Sequence, residues 1–147
     1  MEFSIKYTTR DYSAVSKYKI REILLDENKN PDSFWYKVFS NVINVLICTY
    51  NKFGKLRHTY HFSINEESLT RAHKKQSGTV GWDRIFNFLD HPKFFLLNLE
   101  DGSLVIPKRV LKAEWITRIT NLLKANEIEE KVLIDLPSDT EKPKLPK

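Results

Sequence analysis

The sequence predicts an α+β fold: an antiparallel β half-barrel closed by a C-terminal helix, preceded by a helical segment. Three observations carry this. Between Lys55 and Pro107, short runs alternate apolar and polar residues and are separated by turn residues, the pattern of half-buried strands. Trp115, Ile116, Ile119, Leu122 and Leu123 then recur at helical spacing, with Lys112, Arg118 and Lys124 on the other side. Near the start, Thr8 and Asp11 stand three apart ahead of a partly apolar stretch, which resembles a capping box with a shortened acid.

A chain of 147 residues is most simply one domain with a sizeable core, and an apolar fraction of 41% places it among folded globular proteins. The formal charge of +5 favours an anionic partner but is small for a dedicated nucleic-acid binder. Cys48 is the single cysteine, so internal disulfides and cysteine-based zinc sites are excluded, and its apolar setting reads as a buried thiol. The opening residues lack the apolar core of a secretory signal, and the expected compartment is the cytoplasm.

In chain order, "FSIK" reads as a strand and the residues after Thr8 as a helix with Tyr12, Val15, Ile20, Ile23 and Leu24 on its apolar side. Asp26 to Ser33 is a turn. Residues 34–50 fit helical spacing at Trp35, Val38, Phe39, Val42, Val45, Leu46 and Thr49. Their β-branched second half, followed by "NKFGK", favours a strand and hairpin loop instead. The reading adopted is a helix handing over to a strand near Val45. The run is too short for a span and holds Lys37, Asn41 and Asn44, so it is expected to pack inside the protein.

"LRHTYHFSIN" puts Leu56, His58, Tyr60, Phe62 and Ile64 on one face. "ESLTRAHKK" is a more solvated strand turned back by "QSG", and "TVGWDRIFNFL" follows it. "KFFLLNL" and "SLVIP" form a hairpin on Asp101-Gly102, ended by Pro107. Trp82, Phe86, Phe95, Leu97, Val105, Trp115, Ile119 and Leu122 are the expected core. Residues 1–54 then form an N-terminal segment packed on the barrel, 55–126 the β domain with its helix, and 127–147 a mostly mobile tail in which "KVLIDL" could add an edge strand.

This layout is that of a pleckstrin-homology-like half-barrel. Within it, "VGWDRIFNFLDHPKFFLLNLEDGSLVIPKRVL" resembles the C-terminal domain of YcxB-like bacterial proteins, through Trp82, Ile85, Ile106, Pro107, Lys108 and Arg109. The resemblance covers about residues 55–126 and, more weakly, the opening strand and helix. It implies that Trp82 anchors the barrel. The family usually carries a membrane-spanning pair where this chain has one short run ending at Tyr50, so membrane integration does not carry over.

Candidate chemistry is sparse. His58 and His61, three apart on a strand, point to opposite faces, and zinc needs convergent ligands. His73 lies in a basic turn and His91 precedes Pro92. No nucleophile elbow, Walker loop or dinucleotide fingerprint is present. No catalytic residue, metal or cofactor is therefore expected. The densest basic stretch supplies Arg71, His73, Lys74 and Lys75, and a second supplies Lys108 and Arg109; these six are the candidate binding residues. The expected function is non-catalytic protein binding. By analogy with small bacterial proteins of this kind, the partner would be a toxin domain with an acidic surface, neutralised by an immunity protein. The alternative is peripheral binding to anionic lipid headgroups, without spanning and without nucleic acid.

Overall fold

The computed structural model describes residues 1–52 and 54–134. In order they form β1 (Glu2–Lys6), α1 (Thr9–Asp26), α2 (Phe34–Lys52), β2 (Thr59–Ile64), β3 (Ser68–His73), β4 (Gln76–Gly81), β5 (Ile85–Asp90), β6 (Phe94–Leu99), β7 (Gly102–Pro107), α3 (Ala113–Ala125) and β8 (Glu129–Glu130). The class is α+β. Two four-stranded sheets, β1-β2-β3-β4 and β7-β6-β5-β8, are antiparallel apart from the short parallel β5–β8 pair, and among the described residues neither closes into a barrel.

Both sheets contribute to one core. Ile5, Phe62, Ile64 and Leu69 from the first cluster with Phe88, Phe95, Leu97 and Ile106 from the second and with Ile119 and Leu123 of α3. Strand β6 is apolar from Phe94 to Leu97 because both its faces are covered there. Phe95 and Leu97 enter this core, while Phe94 and Leu96 meet Val15 and Tyr18 of α1 on the other side. Helix α1 starts on a complete capping box: the Thr8 hydroxyl accepts from the Asp11 N–H at 3.3 Å, and the Asp11 carboxylate accepts from the Thr8 N–H at 2.8 Å. The β6–β7 hairpin turns at Glu100-Asp101 and enters β7 through Gly102, whose φ of 139° suits glycine.

Several expectations change. Helix α2 runs unbroken to Lys52, with no hand-over to a strand at Val45, and its apolar side is not packed inside the protein. Phe53, in the expected hairpin loop, lies outside the described residues. "QSG" begins β4, and the turn before it is Lys74-Lys75, with Lys74 at φ 51°. Trp82–Arg84 form a single 3₁₀ turn that divides β4 from β5, which resets the side-chain alternation. A bulge between Ile85 and Asn87 then leaves Phe86 without a partner on β6, and this expected core residue is 59% exposed. Trp82 is buried as expected, its indole N–H donating to the Asn65 carbonyl at 3.3 Å. Val105, Leu122 and Trp115 are half-buried; the first two pack on the core, and Trp115 lies 6.0 Å from Phe3. After α3, Ile128 enters the core and Glu129–Glu130 pair with β5, an edge strand that precedes the one expected in "KVLIDL". Residues 135–147 of the expected tail lie outside the described residues.

Candidate binding surface

Helix α2 contains neither proline nor glycine and begins at a turn in which the Asn30 side chain accepts from the Asp32 N–H at 2.9 Å. At 3.6 residues per turn, Phe34, Trp35, Val38, Phe39, Val42, Val45, Leu46 and Tyr50 fall within an arc of about 160°. That arc faces solvent: Trp35 is 76% and Tyr50 83% exposed, and all eight are exposed. The other side of the helix, with buried Asn44 and Cys48 and half-buried Tyr36, Ser40 and Ile43, is the packed one. Asn44 is buried and donates from Nδ2 to the Ser13 hydroxyl at 3.0 Å, and Cys48 Sγ lies 3.8 Å from the Thr9 carbonyl.

The cause of this inversion lies in α1. Its apolar stripe, Val15 and Tyr18, is used against β6, which leaves Thr9 and Ser13 for α2. Between the two helices an open cleft of about 450 Å³ is lined by Thr9, Arg10, Ser13, Asn44, Val45, Cys48 and Thr49. Burial pushes the Cys48 thiol up from its ordinary value, so it is not a poised nucleophile.

The C-terminal end of α2 leads to a basic end of the first sheet. From residue 33 to residue 65 the chain has no acid and carries Lys37, Lys52, Lys55 and Arg57. Where β2 begins, the His58 ring lies 4.3 Å from the His73 ring, which lies 5.1 Å from Tyr60. His73 Nδ1 is 3.3 Å from the Thr59 carbonyl, and the Arg71 guanidinium sits 5.4 Å from the Tyr60 ring centre. Desolvation, followed by repulsion from His73, Lys74 and Arg57, lowers the His58 pKa from its ordinary value. Lys74 and Lys75 are exposed at the β3–β4 turn. Four of the six candidate residues, Arg71, His73, Lys74 and Lys75, thus share one hairpin end.

The remaining two are engaged in holding the fold together. Lys108 pairs with Asp90, and its ammonium lies 4.6 Å from the Phe95 ring centre. Arg109 grips Asp11 through Nε at 3.0 Å and Nη2 at 2.6 Å, and also reaches the Lys6 carbonyl at 2.8 Å. Asp11 feels burial, which raises its pKa, but the hydrogen bonds from Arg109 and Thr8 outweigh it and hold the carboxyl below its ordinary value.

His91 is buried, stacked on Phe94 at 4.2 Å and edge-on to Tyr18 at 5.9 Å. Its Nδ1 accepts the Lys93 N–H at 3.1 Å. Ser4 Oγ and His61 Nδ1 stand 2.7 Å apart as an exposed cross-strand pair. Among the described residues no group of three histidine, cysteine or acidic side chains could hold a metal ion. The apolar face of α2 shows in the sequence as helical spacing, but the expectation it supports is a packed element, whereas here it faces solvent.

No protein-family model, curated protein or solved structure matches this chain.

Proposed function

We propose that the chain is a non-catalytic binding module on a pleckstrin-homology-like scaffold, and that it acts by laying the outward face of α2 against a larger partner. The inversion of α2 carries this reading. With side chains of about 150–250 Å² for the aromatics, the exposed residues of the helix present on the order of 1,000 Å². A patch of that size exceeds the few hundred Å² typical of a monomer's surface and marks an interaction site. The antiparallel strands followed by α3 support the scaffold.

Occlusion of a toxin domain with an acidic surface is the protein-directed form of this reading, and the acid-free stretch from 33 to 65 supports an anionic partner of either class. A photo-crosslinking amino acid placed at Val42 of the full chain tests the reading in cells. Adducts at Val42, with none when the probe replaces exposed Phe86, are the expected result. Equal labelling at both positions, or neither protein nor lipid adducts at Val42, would overturn it.

A further inference from the structure

We infer that the partner is the surface of an anionic lipid bilayer, with α2 lying in the plane of the interface and the Lys74-Lys75 turn against the headgroups. The inference rests on the docking reading above and names its occupant. Three observations point to lipid.

The first is the form of the helix. An interfacial helix needs a broad apolar face, and aromatic side chains suit the boundary between hydrocarbon and water. Helix α2 has both: Trp35 and Tyr50 mark the two ends of the exposed face, about 22 Å apart along the axis, with Phe39, Val42 and Leu46 between them. Among the described residues no helix is long and apolar enough to cross a membrane, so the helix lies on the bilayer rather than through it.

The second is charge. Lys74 and Lys75, at the basic end of the first sheet to which the C-terminal end of α2 leads, are exposed, and no acid occurs from 33 to 65. The acids that border this stretch are Asp32, paired with Arg21 at 3.0 Å, and Glu66, at the β2–β3 turn, the opposite end of those strands from Lys74-Lys75. Anionic headgroups complement this distribution.

The third is the poor fit of other occupants. A second copy docked about a two-fold axis would set one acid-free, cationic stretch against another. The chain's own residues 135–147 offer only Leu136 and Leu145 as large apolar side chains, too few to cover the face. An apolar protein groove would cover α2 but would leave the basic turn without a role.

Flotation of the full chain with vesicles tests this. Phosphatidylcholine vesicles with about 25% phosphatidylserine should carry the protein up, pure phosphatidylcholine should not, and about 0.5 M salt should weaken the binding. Phe39→Asp combined with Val42→Asp should lower the bound fraction roughly tenfold. Lys74→Gln and Lys75→Gln should each weaken binding roughly fivefold. Phe86→Asp, an equally exposed site on β5, should leave it unchanged.

Equal flotation with both lipids would overturn the anionic assignment. No flotation, with a dimer in sedimentation that Phe39→Asp and Val42→Asp dissociate, would overturn lipid in favour of a second copy. No flotation with protein adducts at Val42 would overturn lipid and leave the docking reading standing. No flotation and no adducts would remove both.

Discussion

Helix α3 turns Ile119 and Leu123 into the core, where both are fully buried, whereas α2 turns Trp35 and Tyr50 into solvent and packs through Asn44 and Cys48. Both helices are amphipathic, and the apolar arc of α2 is the broader. The difference lies in what each meets. Helix α3 lies over apolar side chains from both sheets, while α2 meets the polar side of α1, whose apolar stripe is already used against β6. Amphipathicity therefore states that a helix has two sides. Which side is buried depends on the neighbour.

The comparison breaks most readily in the core. Phe95→Ala and Ile119→Ala should cost about 2–5 kcal/mol by chemical denaturation, because both positions are sealed and leave a cavity. Trp115→Ala should cost less, about 2 kcal/mol, since its ring is half-buried between Phe3 at 6.0 Å and the Lys112 ammonium at 5.0 Å. Equal losses at Ile119 and Phe39 would show that α2 and α3 are packed alike.

A smaller effect sharpens the account of the packed side of α2. Asn44→Ala removes the donor to Ser13 and should cost about 1 kcal/mol. An Asn44 variant as stable as the parent would mean that the polar seam between α1 and α2 does not hold them together.

Smaller again is a pH effect at the second core cluster. Desolvation, with repulsion from Lys93 and Lys108, lowers the His91 pKa, and Asp90 opposes this only in part. The unfolded chain then takes up the proton first. His91 thus leaves stability intact above about 6.5, and part of it is lost as the pH falls through that value toward the folded one. Melting temperatures recorded between about pH 7.5 and 5 should fall less steeply in His91→Gln, which cannot be protonated. An unchanged slope would mean that His91 is solvated.

What the sequence made legible was local. Thr8 and Asp11 cap α1, the β6–β7 hairpin signalled by Asp101-Gly102 forms with its turn one residue earlier, at Glu100-Asp101, and the basic residues of the β3–β4 hairpin cluster where their spacing put them. Features set by pairing were hidden. The bulge that expels Phe86 exists only against β6, and the turn at Lys74-Lys75 lacks the glycine or asparagine that signals a tight turn. Of the candidate surface, the basic half could be read from composition. The apolar half looked like core, because nothing in residues 34–50 records that α1 offers them a polar side.

The smallest effect on stability is expected at Phe39, and it separates the two helices most directly. Phe39 is 57% exposed and outside both buried clusters, so its replacement opens no cavity. Aspartate has a helix propensity close to that of phenylalanine, and the site lies in the first half of α2, where the helix dipole does not oppose a negative charge. Phe39→Asp should therefore shift the unfolding free energy by no more than about 0.5 kcal/mol, the usual range for a surface change. The same substitution at Ile119 would place a carboxylate among fully buried side chains and should prevent folding. A large loss of stability from Phe39→Asp would show that the outward face is covered within the monomer, and the docking surface would then have to lie elsewhere.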